Sequence, residues 1–148
     1  MCLSVRIADE CITAVNELRS KRGATKPRFV IFKISDDAST VIVDQTSLEQ
    51  DYGVFLHELS SAVDANGAPA PRFAVYDVEY NLGDDGKRIK TVFLSWVSQE
   101  APIKSRMLYA STREQLNKAL NLGVSIHADD LEDIEWNNVL KEASGGKA

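Results

Sequence analysis

Four short apolar runs, rich in β-branched and aromatic residues, dominate the first two thirds of the chain. They are "RFVIFKI" (28–34), "TVIVD" (40–44), "RFAVYDVEY" (72–80) and "IKTVFLSWV" (89–97). Such runs suit a pleated, half-buried surface and read as strands. The first two flank the turn "SDDAS" and the last two flank "NLGDDGKR", so they predict two hairpins. A later short run, "VSIHA" (124–128), predicts one strand more.

The segments between them carry helical spacing. Cys11, Ile12, Val15 and Leu18 recur along 9–22, with Asp9 as cap, and Phe55, Leu56 and Leu59 along 51–63. A long helix is expected from Pro102 to about Leu122, ending near Gly123. A last one is expected in "DDLEDIEWNNVLKEA", with acids in its first turn. "SKRGATKPR" and "DANGAPAP" read as loops. The predicted order is α-β-β-α-β-β-α-β-α. It gives an α/β domain over 1–148, with a central mixed sheet of about five strands covered by helices on both faces. Frayed ends are expected at about 1–5 and 143–148.

A chain of 148 residues suits one domain with a core of its own. The net charge of −5 argues against general nucleic-acid binding. The charge is uneven: residues 87–118 carry +5 and the remainder −10. A basic band on an acidic protein suits a partner with a negative patch. No apolar run is long enough to span a membrane, and "MCLSVRIADEC" lacks the apolar core of a signal peptide. Cys2 and Cys11 form no metal-ligand spacing, so no metal and a reducing compartment are expected.

The stretch "APIKSRMLYAST" (101–112) opens the long helix. At about 100° per residue, Leu108, Thr112, Leu116, Ala119 and Leu120 share the core arc, with Ser105 and Tyr109 on its flank. Ile103 and Met107 fall outside it, four residues apart and therefore stacked. Lys104 and Arg106 flank them. An apolar centre with charged edges is the anatomy of a protein-binding surface. Burying Met107 against a partner contributes about 1.5–3 kcal/mol before costs.

Enzymatic readings find less support. His57 lies on a helix face. His127 lies near Asp129, where an imidazole–carboxylate pair is conceivable, but no nucleophile motif accompanies it. Asp77 and Glu79 point the same way along a strand, the pattern of groups that pair with Lys or Arg. "NLGDDGKR" lacks the calcium-loop spacing and "GDDGK" the phosphate-loop spacing. Trp96 reads as core. No cofactor and no catalytic residue are expected.

The stretch "APIKSRMLYASTREQL" resembles the long-helix signature of the ADF/cofilin family of actin-depolymerising proteins. "ADECITAVNELR" is similar to that family's first helix, "RFVIFKI" to its first strand, "RFAVYDVEY" to its third and "GKRIKTVFLSW" to its fourth. The resemblance covers nearly the whole chain and the order of elements. It implies a single ADF-homology domain that binds monomeric and filamentous actin and promotes depolymerisation and severing without covalent chemistry. It assigns the site for monomer and filament to Ser4, Val5, Arg6, Ile103, Lys104, Ser105, Arg106 and Met107. It assigns a filament-specific site to Lys87, Arg88, Lys90 and Lys141. Phosphoinositide headgroups are a further ligand it implies. The expected protein is monomeric, cytoplasmic and associated with the cytoskeleton.

Two departures stand out. Ser4, the candidate phosphorylation site, lies five residues before Asp9 and is followed by Val5, where relatives place the serine six before and follow it with glycine. Aligning Asp9 puts Leu3 at the serine position. On the last helix, Lys141 is followed by Glu142 and then Gly145, where relatives often carry basic residues. That points to a weaker filament contact. The alternatives are a filament-side-binding or mainly monomer-sequestering relative with weak severing, and a small enzyme.

Overall fold

The computed structural model describes residues 5–20, 27–49 and 51–146. Its elements are β1 (Arg6–Ile7), α1 (Asp9–Ser20), β2 (Phe29–Ile34), β3 (Thr40–Ser47), α2 (Tyr52–Ser60), β4 (Arg72–Asn81), β5 (Lys87–Trp96), α3 (Ile103–Leu120), β6 (Val124–Ala128) and α4 (Trp136–Ser144). They build one six-stranded sheet of order β1-β3-β2-β4-β5-β6. The two hairpins are antiparallel and β2 joins them by pairing with β4. The edges are parallel: β1 against β3 and β6 against β5. The sheet is mixed, as expected, with β1 as a sixth strand. Two residues are too few to show a period of two in a sequence.

Alternation along the strands splits the core into two layers. Val30, Phe32, Phe73, Val75 and Phe93 meet Cys11, Val15 and Leu18 of α1 and Tyr109, Leu116 and Leu120 of α3. Phe29, Ile31, Ala74, Tyr76, Val78, Val92 and Leu94 meet Phe55 and Leu59 of α2 and Val139 and Ala143 of α4. Helices therefore cover both faces. Trp96 is in the second layer, as expected for a core residue.

Several boundaries differ from the sequence reading. The Asp51 side chain caps α2 by accepting from the Gly53 N–H at 2.9 Å, so α2 starts at Tyr52; it ends at Ser60. The acids placed in the first turn of the last helix instead sit in a 3-10 turn, Leu131–Ile134, capped by Asp130, which accepts from Glu132 N–H at 3.0 Å. Residues 1–4 and 147–148 of the expected frayed ends lie outside the described residues. Val5 is buried, and so are Ala143 and Ser144. α4 closes on Gly145, whose φ of 64° is the left-handed conformation that glycine adopts without strain.

Candidate functional site

The long helix α3 begins after Ala101, which is buried, and Pro102, which is its N-cap. Proline cannot donate there and none is required. Thr112, Leu116 and Leu120 are buried as anticipated. Leu108 is only half-buried and Ala119 is exposed, while Tyr109 is buried. The core stripe is thus centred on Tyr109 rather than on its predicted edge. The cause is polar: the Ile34 N–H donates to the Tyr109 hydroxyl at 2.8 Å, so the ring can enter the core with its oxygen satisfied.

Ile103 and Met107 point outward. They are 65 % and 68 % exposed, one turn apart on the same side of α3. Lys104 beside them is exposed; Ser105 and Arg106 are half-buried. Among the described residues neither Lys104 nor Arg106 forms an ion pair. The N-terminal assignments divide. Ser4 lies outside the described residues. Arg6 is exposed on β1. The Val5 side chain is buried in the first core layer. The Val5 carbonyl accepts from Gln115 Nε2 at 2.9 Å, which ties the start of the chain to α3.

Beside the Ile103–Met107 pair lies a recess of about 560 Å³ between α3 and the ends of β5 and β6. Ser95 and His127 are paired across the parallel strands. Leu94, Trp96, Ile126 and Ala128 all belong to the α2–α4 layer, so Ser95 and His127 face α3. Arg106 and Arg113 line the recess from the helix. Ser95 Oγ and Arg106 Nε, on two residues of the lining, are themselves buried beneath its surface without a hydrogen-bond partner among the described residues. Burial, and then the nearby Arg113 cation, push His127 below the ordinary imidazole pKa, against an opposing push from Glu114. The imidazole–carboxylate pair considered from sequence is not formed: Gln99 Nε2 donates to Asp129 Oδ2 at 3.2 Å instead. Ser95 and Arg113 carry no signal in the sequence, because the register of two parallel strands brings Ser95 beside His127.

The filament-specific assignments divide by strand face. Arg88 and Lys90 are opposite Tyr80 and Val78, and Val78 belongs to the α2–α4 layer, so both cations point to the side that carries α4. Lys141 is exposed on α4. Lys87 points to the other side, and its Nζ lies 3.2 Å from Glu79 Oε2. Arg28 Nη1 meets Glu79 Oε1, also at 3.2 Å. Burial raises the Glu79 pKa, but Lys87 and Arg28 together outweigh it and hold the carboxyl below its usual value. Asp77, on the same side, is buried and accepts from Thr91 Oγ1 at 2.6 Å. His57 is exposed on α2. No helix among the described residues is long and apolar enough to cross a membrane.

Comparison with known proteins agrees with this architecture. A family model described as cofilin/tropomyosin-type actin-binding protein matches residues 4–144. Cofilin of Eremothecium gossypii is 41 % identical, with 96 % of this chain and 94 % of that protein covered. Cofilin of Saccharomyces cerevisiae is 36 % identical over the same shares. The crystal structure of a Streptomyces griseoflavus cofilin superposes with a TM-score of 0.82 at 31 % identity, covering 97 % of this chain and 99 % of the other. With the two-layered mixed sheet, the outward Ile103–Met107 pair and these matches together, the chain belongs to the ADF/cofilin family of actin-binding proteins.

Proposed function

We propose that this protein binds actin monomers and filaments through the exposed face of α3 and promotes filament depolymerisation and severing. The observation that carries this reading is the Ile103–Met107 pair, two large apolar side chains open to solvent, with Lys104 and Arg106, which form no ion pair among the described residues, beside them. Burying such a centre against a partner is favourable, and the cations orient an acidic partner. Arg6 and the backbone around Val5, held by Gln115, extend the surface. Arg88 and Lys90, with Lys141 on α4, form a second, filament-only contact. Glu142 beside Lys141 weakens it, which favours depolymerisation over stable decoration of filaments.

The protein acts through binding energy and carries out no covalent step. A protein that binds one filament geometry more tightly than another shifts the filament toward it by mass action. Junctions between decorated and bare segments then break. A phosphate on Ser4, the residue before Val5 in the sequence, would bring up to about −2 charge and so repel an acidic partner. Phosphoinositide headgroups would compete for the same cations. The expected setting is the cytoplasm, with the protein acting as a monomer on the cytoskeleton.

The test is disassembly of pyrene-labelled actin filaments by the parent and by Lys104→Ala/Arg106→Ala. Each lost contact of this type costs on the order of 1–3 kcal/mol, so the double variant disassembles filaments much more slowly. Disassembly at the parental rate would remove these two residues from the site.

A further inference from the structure

Gln115 is an exposed residue of α3, yet its side chain is committed to a main-chain atom 110 positions earlier. Its Nε2 donates to the Val5 carbonyl at 2.9 Å, in a bond partly shielded from solvent. That carbonyl belongs to the same peptide unit as the Arg6 N–H, which donates to the Ser39 carbonyl at 2.8 Å. One peptide is therefore pinned from both sides, by the start of β3 through its N–H and by α3 through its oxygen. A peptide unit is planar, so two opposed hydrogen bonds fix the direction of its plane and of the chain running through it. The next side chain along is Arg6, exposed on the edge strand β1.

The fold has little need of the Gln115 bond. β1 already pairs with β3, the Ala8 N–H donates to the Val41 carbonyl at 3.0 Å, and the Val5 side chain is buried in the first core layer. A carbonyl at a sheet edge would otherwise accept from water at small cost. Helical geometry gives the bond another use. Gln115 lies about 20° round the helix from Lys104, and about 80° round and about 12 Å along from Met107. The start of the chain is thus fastened at the border of the face that Met107 occupies. We propose that Gln115 is a positioning residue for actin docking: by clamping the Val5–Arg6 peptide to α3, it holds Arg6 in one direction beside the docking face before the partner arrives. The inference rests on the docking face proposed above. A segment held in place beforehand loses less conformational freedom on binding, so the clamp raises affinity without itself touching actin. The glutamine amide supplies the donor and adds no charge to the surface.

Gln115→Met removes the donor while keeping a neutral, unbranched side chain that favours the helix. Kd for actin monomers is expected to rise about fivefold, the size expected for one neutral hydrogen bond, with Tm nearly unchanged. The positioning role is read from a cycle with Arg6→Ala. In the Arg6→Ala background, Gln115→Met should change Kd by less than about twofold, because the group it positions is gone. A glutamine that only stabilises the fold would lower Tm and leave the Kd of the folded protein as it was. A glutamine that touches actin directly would give the same loss with or without Arg6. Either result overturns the proposal. Met107→Asp is the control for the face itself. If it weakens binding while Gln115→Met does not, the docking face stands and the clamp is refuted. If neither weakens binding, the docking face falls and the clamp with it.

Discussion

The Ile34 backbone N–H donates to the Tyr109 hydroxyl at 2.8 Å, which satisfies the oxygen of a ring buried in the core. Tyr109 follows Met107 by two residues, about 200° further round a helix. Drawing Tyr109 into the core therefore turns Met107 to the opposite side. The buried Tyr109 and the exposed Met107 are linked by helical geometry.

Removing that hydroxyl leaves a buried N–H without its acceptor. Tyr109→Phe is expected to lower stability by about 1–3 kcal/mol in urea unfolding, because the penalty is the desolvated donor and not the lost packing. Actin affinity should fall little at temperatures where the variant is folded, since neither atom reaches the surface. An unchanged unfolding midpoint would mean the N–H finds another acceptor.

Cys11 is fully buried, and its thiol donates to the Val41 carbonyl at 3.3 Å. Burial, reinforced by the neighbouring Glu10 charge, pushes its pKa up to about 12. Thiolate is the reactive form, so this thiol is inert in the folded protein. In a Cys2→Ser background, iodoacetamide at pH 8 should label nothing until denaturant is added, and then one thiol per chain.

Glu79 holds Arg28 and Lys87. Its folded pKa lies below the unfolded value, so the contribution is present above the unfolded pKa, about 4.3. It is lost as pH falls through the folded value. Glu79→Gln should therefore be less stable than the parent at neutral pH, and the difference should close in acid. Urea midpoints at pH 7 and pH 3 check this.

The same ion pair ranks the filament-side cations. Lys87 is tethered to Glu79 and faces away from Arg88 and Lys90. Arg88→Ala/Lys90→Ala should pellet poorly with actin filaments while keeping monomer affinity. Lys87→Ala should pellet nearly as well as the parent. Equal loss of monomer and filament binding in the double variant would contradict two separable sites.

The strands were readable because both hairpins are local and their apolar runs are bounded by turns. The exposure of Ile103 and Met107 was readable because helical periodicity places them far from Leu116 and Leu120 wherever the stripe is centred. The burial of Tyr109 was not, since a hydroxyl partner on β2, 75 positions away, decides it. β1 was missed because its two residues owe their strand state to β3, with Arg6 N–H donating to the Ser39 carbonyl at 2.8 Å. That contact also places Val5 where its side chain enters the core. The recess was invisible for a similar reason: it depends on the parallel register that sets Ser95 beside His127. The acids of the last helix were assigned to the wrong element because Asp130 caps a 3-10 turn ahead of it.

The central claim is that Met107 is exposed for a partner and not for the fold. The most direct measurement is the affinity of Met107→Asp for actin monomers, alongside its thermal stability. The account predicts Kd at least about tenfold weaker than the parent, with Tm nearly unchanged, because a side chain 68 % exposed contributes little to folding but a central apolar contact contributes much to binding. Affinity within about twofold of the parent, at unchanged Tm, would show that actin does not cover this residue.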